Sequence, residues 1–319
     1  MPSFEEFFEY VKNNIKTYMP EEYKGCNVEV ARNIKENDIV LKGIQLKNES
    51  EETYAAPILY LEPYYTDYLN GENLKKIMNE IAHDYIRYEK QMKKLAHINF
   101  SCFDEIKDLI GYDIVNVRFS GDYLETVVHT TEEDLAKVYQ ILLSDEESVM
   151  GMRINEKHLL KWGVSQEELN KIADANMVRR FPARFLPVLD VIMQRADLPD
   201  ITSSNLEIPK ERNLYLLSTS GEYMSAAVIF YPGVLEMVRD YIGEDFYILP
   251  CSTHEVQIIS KNYADPREYG EAVKKANKTV VPRNEVLSDC IYEFSMESKK
   301  IRVVPETIPQ IQKRRGLER

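Results

Sequence analysis

Absences limit what this 319-residue chain can be. No run of about 18 apolar residues occurs, so no stretch is built to cross a bilayer as a helix. The opening Met1-Pro2-Ser3-Phe4-Glu5-Glu6 lacks the basic-then-apolar plan of an export signal. A soluble, cytoplasmic chain is expected. The four cysteines, Cys26, Cys102, Cys251 and Cys290, are widely separated with no Cys-x-x-Cys pair. They match neither a disulfide framework nor a zinc knuckle, and four reduced thiols are expected. Basic residues are the minority, 40 against 53 acidic, for a net charge of −13. Such a charge repels a phosphate backbone, so nucleic acid is a disfavoured partner. The five histidines are scattered, and His254-Glu255 has no second histidine at helical spacing. No metal site follows. Neither GxxxxGK[ST] nor GxGxxG occurs, so no nucleotide fold is indicated and no cofactor is expected.

What is present is a folded-globule composition, 44% hydrophobic, with strands that arrive in pairs. Ser3 and Glu6 have capping-box spacing, and Phe4, Phe7, Phe8, Val11 and Ile15 recur on one helical face until Pro20. Residues 27–34 and 38–46 predict two strands about Lys35-Glu36-Asn37, and 57–61 a third. Leu74, Ile77, Met78, Ile81 and Tyr85 form a second helical stripe. Residues 113–119 and 123–128 read as a hairpin about Ser120-Gly121-Asp122, while 135–142 fits helix or buried strand equally. Ser165 with Glu168 opens a helix over 166–176, and Asp265-Pro266 with Glu268 opens another. Between them, 214–218 and 225–231 read as strands, 232–242 as a helix capped by Gly243, and 246–249 with 255–260 as strands meeting at a Pro250 break. Residues 289–294 and 300–304 close as a hairpin. The expected fold is α+β, two lobes of mostly antiparallel sheet packed with amphipathic helices, because hairpins replace strict strand–helix alternation. The polar, proline-marked 197–204 segment sets the expected division into 1–198, 199–305 and a basic tail, 306–319.

Two constellations stand out. Cys251, Ser252 and His254 share one corner and have the residue types of a nucleophile beside a base. Catalytic partners usually converge from distant positions, so a histidine bonded to turn backbone is the preferred reading. Arg179, Arg180 and Arg184, interleaved with Phe181 and Phe185, could clamp a phosphate or an acidic peptide. Cations just past a helix C-terminus also answer its dipole, and that plainer reading is preferred. Tyr54, Tyr60, Tyr64, Tyr65 and Tyr68 could form a stacking surface but more simply seal seams with one wet end.

Asp245-Phe246-Tyr247-Ile248-Leu249-Pro250 with Ser252 and His254-Glu255-Val256 resembles an uncharacterised bacterial family, a domain of unknown function common in gut anaerobes. Leu160-Lys161-Trp162-Gly163-Val164-Ser165 with Glu167-Glu168-Leu169, then Ala175-Asn176 and Glu285-Val286-Leu287-Ser288-Asp289, are similar to its other recurring stretches. A more distant likeness is to a second uncharacterised family of Gram-positive cytosolic proteins. The resemblance covers most of the chain and implies no activity. Cys251 stands where that family often has serine, a departure that weakens a thiol nucleophile. An acidic, tyrosine-rich globule without a catalytic motif is expected to be an interaction or adaptor protein with a protein partner. The alternative is a hydrolase using His254 with Cys251 or Ser252.

Overall fold

The computed structural model describes residues 2–47, 57–95, 98–144, 149–220, 223 and 225–308. The chain forms two compact units, 1–105 and 106–319. The fold is α+β, and all strand pairs among the described residues are antiparallel.

In the first unit, α1 (Phe4–Asn14) starts at the capping box read from Ser3 and Glu6. Phe7, Phe8 and Val11 are buried on its inner face. The hairpin β1 (Asn27–Ile34) and β2 (Val40–Lys47) turns through Asn37 at φ 58°, a left-handed position that asparagine tolerates. The third strand is only β3 (Leu59–Tyr60), because α2 (Glu62–Leu69) begins at once. Helix α3 (Leu74–Lys94) puts Ile77, Ile81 and Tyr85 into the same core as Phe8 and Ile44. The tyrosines pack: Tyr65 meets Phe4 and Phe7, Tyr68 stacks on Phe7, and Tyr64 donates to Asp84 at 2.7 Å. Tyr54 lies outside the described residues.

After the turn α4 (Phe103–Ile106), the second unit holds two sheets. Strand β4 (Ile110–Asn116) does not form the expected hairpin with 123–128. The residues beyond it coil into α5 (Gly121–Leu124), and β4 pairs with β6 (Leu135–Ser144), flanked also by β5 (His129–Glu132) and β7 (Val149–Arg153). The long apolar β6 offers seven register pairs, from Ile110↔Ile141 to Asn116↔Leu135. Helices α6 (Glu156–Trp162) and α7 (Gln166–Arg180) follow; Ser165 caps α7 by accepting from the Glu168 amide.

The second sheet contains β8 (Ala183–Pro187), β9 (Tyr215–Thr219), β10 (Phe246–Pro250), β11 (Val256–Ser260), β12 (Tyr292–Ser295) and β13 (Lys300–Val303), in the order β13-β12-β10-β11-β9-β8. Helix α8 (Val188–Arg195) follows β8 directly. The expected division at 198/199 falls inside this sheet, between β8 and β9, which pair from Ala183↔Thr219 to Pro187↔Tyr215. The 197–204 stretch is a loop within the unit, since polar and proline signals mark loops whether or not a domain ends there. Residues 225–231 are not a strand. Ser225 Oγ accepts from the Ala227 amide and caps a tight helical turn over Ala226–Phe230, a side-chain bond that competes with a ladder. Pro250 stays in register with Val256 instead of breaking β10; β12 pairs only as far as Ile248, so no ladder needs the missing N–H on that side.

Helix α9 (Val234–Ile242), ended by Gly243 at φ 85°, covers one face of this sheet, where Tyr241 meets Phe185 and Tyr215 edge-on. Val256, Ile258 and Ser260 are buried together, as alternation requires. Leu249 and Ile259 are buried too. They pack with Val273 of α10 (Pro266–Thr279), Ile291 and Val304 on the opposite face, so the sheet is covered on both sides.

Candidate functional site

The Cys251–His254 corner is built for geometry. Cys251 and Ser252 amides both donate to the Glu255 carbonyl at 3.3 Å, and the Thr253 amide donates to the Glu285 carbonyl at 2.9 Å. Ser252 Oγ accepts from the His254 backbone amide at 3.1 Å, and the His254 carbonyl accepts from Ser218 Oγ at 2.6 Å. The His254 ring lies at the surface with Nε2 3.6 Å from Glu285 Oε2. Burial, then the nearby Glu255 charge, pushes the Cys251 thiol up to about 12, so it stays protonated at neutral pH. The three residues therefore sit together without forming a nucleophile–base pair among the described contacts.

The arginine cluster divides. Arg180 donates to the Leu109 and Leu142 carbonyls at 3.1 and 2.8 Å, tying the end of α7 to the turn before β4 and to β6. Its burial, then Arg179, lowers its pKa. Arg179 is exposed, donating to Asn176 Oδ1 at 3.1 Å with Asp108 3.8 Å away. Arg184 stands half-buried on β8, with no ion pair among the described residues.

Sequence reasoning missed the polar side of α7. Gln166, Asn170 and Asp174 recur every four residues, which sets them on one helical face, and that face meets the sheet. Lys137 Nζ donates to Asp174 at 2.8 Å and to Asn170 at 3.2 Å. Tyr139 donates to the same Asn170 oxygen at 2.8 Å, so Thr130, 2.9 Å from the Tyr139 oxygen, must be the donor there. The Lys137 ammonium lies 4.7 Å from the centre of the Tyr112 ring. Tyr112 is fully buried, and its hydroxyl has no hydrogen-bond partner among the described residues. Burial, reinforced by Asp174, holds its pKa well above the usual tyrosine range.

This network and Arg180 fix α7, which runs straight into β8. Strand β8 is the last in the sheet order. The Val188 amide donates to the Leu214 carbonyl and the Ser220 amide to the Pro182 carbonyl, both at 2.8 Å. Backbone groups of even-numbered β8 residues therefore turn inward. The N–H groups and carbonyls of Ala183 and Phe185 turn outward with no partner among the described residues, while Pro187 is the N-cap of α8. Beyond the strand, Ser203 N–H and Oγ both bond Asp190 Oδ1 at 2.6 Å, folding the following loop back on α8. This helix–loop piece exposes Ile192 (52%), Leu198, Ile201 and Leu206 (56%). The four cysteines are not joined to one another, and no described helix is long and apolar enough to cross a membrane.

No curated protein and no solved structure matches the chain. Residues 4–296 match a family of unknown function, DUF5688, and the chain belongs to that family.

Proposed function

We propose that this chain is a non-catalytic interaction protein of the cytoplasm, and that it takes an extended, acidic polypeptide segment onto the open edge of β8. The carrying observation is that edge, with the Ala183 and Phe185 N–H groups turned outward on a strand whose position α7 fixes. A strand added there gains main-chain hydrogen bonds, while side chains alternating along it supply specificity. Arg184 on the strand and exposed Arg179 just before it favour carboxylates on the incoming segment. The apolar residues of the α8 piece supply contact area. Against the hydrolase alternative, Cys251 holds its proton and the His254 ring faces Glu285.

The test is a random-peptide selection on the purified protein, followed by titration of the enriched peptide against variants. Acidic extended peptides should be enriched. Ala183→Pro, which removes an outward N–H, and Arg184→Glu should each weaken binding at least about tenfold, and His254→Ala should not. Enrichment of nothing, or binding lost in His254→Ala and kept in Ala183→Pro, would overturn the reading.

A further inference from the structure

A second recess, separate from the β8 edge, lies in the same unit where the residues after α5, the start of β5 and the first turns of α6 and α7 converge. It is a half-open recess of about 490 Å³, within the size range of small-molecule sites. Leu124 and Val127, both buried, supply an apolar side. Gln166 Nε2 donates to the His129 carbonyl at 2.5 Å and so ties the start of α7 to the start of β5.

The imidazole of His129 is half-buried in the wall of this recess. Its Nδ1 lies 3.1 Å from the Val127 carbonyl. A carbonyl only accepts, so Nδ1 carries a proton, and in the neutral tautomer Nε2 is the nitrogen left to accept. That nitrogen has no partner among the described residues. Glu125, Glu156 and Lys157 line the same recess, and none of them joins an ion pair among the described residues. Isolated surface charges are ordinarily just solvated. Here opposite charges border one cavity without reaching each other, beside a recessed acceptor of fixed tautomer. In the groove between α2 and α3, by contrast, Lys76 pairs with Glu72 and Glu80, and Asp84 takes Tyr64 and Arg87. Those charges are already answered by neighbours.

We infer that the His129 recess binds a small zwitterion of the free amino acid class. Its ammonium meets His129 Nε2 and the carboxylates of Glu125 or Glu156, its carboxylate meets Lys157, and its side chain lies toward Leu124 and Val127. A molecule carrying only positive charge would leave Lys157 opposed, and one carrying only negative charge would face two carboxylates and a lone pair.

The experiment is calorimetric titration of the full chain with a panel of free amino acids, using an alkyl diamine and an alkyl dicarboxylate as controls. At least one amino acid should bind at millimolar affinity or tighter, and neither control should. Lys157→Met, at an exposed position, should weaken that binding about tenfold or more without changing the melting temperature, and His129→Leu should do so more strongly than His129→Gln, which keeps an acceptor. Three results would overturn the inference: no amino acid binds, the diamine binds as well as the amino acid, or Lys157→Met binds like the parent.

Discussion

The Lys137–Asp174 pair gives the sharpest test of how the second unit is held together. Its side chains are only 13% and 17% exposed, and the ammonium-to-carboxylate distance is 2.8 Å. At an effective dielectric near 20 the gross attraction at that distance is about 6 kcal/mol, but desolvating each ion costs several kcal/mol, so the net worth of the pair is small. Removing one partner is another matter. Asp174→Ala leaves the Lys137 ammonium with Asn170 and the Tyr112 and Phe230 rings, and should cost about 3 kcal/mol. Lys137→Met combined with Asp174→Leu removes both charges at similar volume and should cost about 1 kcal/mol or less. The assay is urea unfolding followed by fluorescence of Trp162, the only tryptophan, which lies in α6 of this unit and stacks on His158. A double variant as unstable as the sum of its singles, or Asp174→Ala costing under about 0.5 kcal/mol, would refute a buried, coupled pair. Because α7 leads directly into β8, amide exchange over 181–187 should also quicken in Asp174→Ala.

In the second sheet, Val256→Ala and Ile258→Ala should each cost about 2–4 kcal/mol by denaturant midpoint, because both side chains are buried, whereas surface His254→Ala should cost under about 1 kcal/mol. The reverse order would mean that the corner, and not the strand, holds the sheet. Cys251, its thiol pushed up to about 12, should alkylate at pH 8 far more slowly in the folded protein than after unfolding, when all four thiols should titrate; equal rates would contradict its burial. Burial raises Tyr139 and Tyr215 to about 12, so the folded chain keeps protons that the unfolded chain releases near pH 10. The stability they confer is therefore complete below about pH 10 and is lost as pH rises through about 12, a steepening alkaline loss that thermal melts should register.

What the sequence made legible was local. The starts of α1, α7 and α10 depend on a capping side chain and residues within one turn, so Ser3, Ser165 and Asp265 announced them. Hairpins joined by short turns, β1–β2, β10–β11 and β12–β13, were legible for the same reason. The partner of β4 was not, because Ser120-Gly121-Asp122 has the composition of a hairpin turn while the longer ladder lies on β6 beyond it. The domain division failed similarly. Proline and polar residues at 197–204 mark a loop, and only the pairing of β8 with β9 reveals that the sheet runs through it.

The candidate site was half legible, and the missing half has one cause. Gln166, Asn170 and Asp174 announce a polar helical face by their spacing, and such a face ordinarily looks to water. Its partners, Lys137 and Tyr139, stand 31 to 37 residues upstream, so nothing near α7 says that this face turns inward. The arginines repeat the point. Arg180 and Arg184 are four residues apart, yet one is held by carbonyls of β6 and of the turn before β4 and the other stands on the last strand of the β8–β13 sheet, because the chain passes from helix to strand between them. Whether a strand lies at an edge depends on the order of the whole sheet, a property of no single segment. The arginine motif is therefore interpretable only after the sheet is assembled: Arg180 helps to hold the helix that leads into the edge strand, and Arg184 stands on that strand.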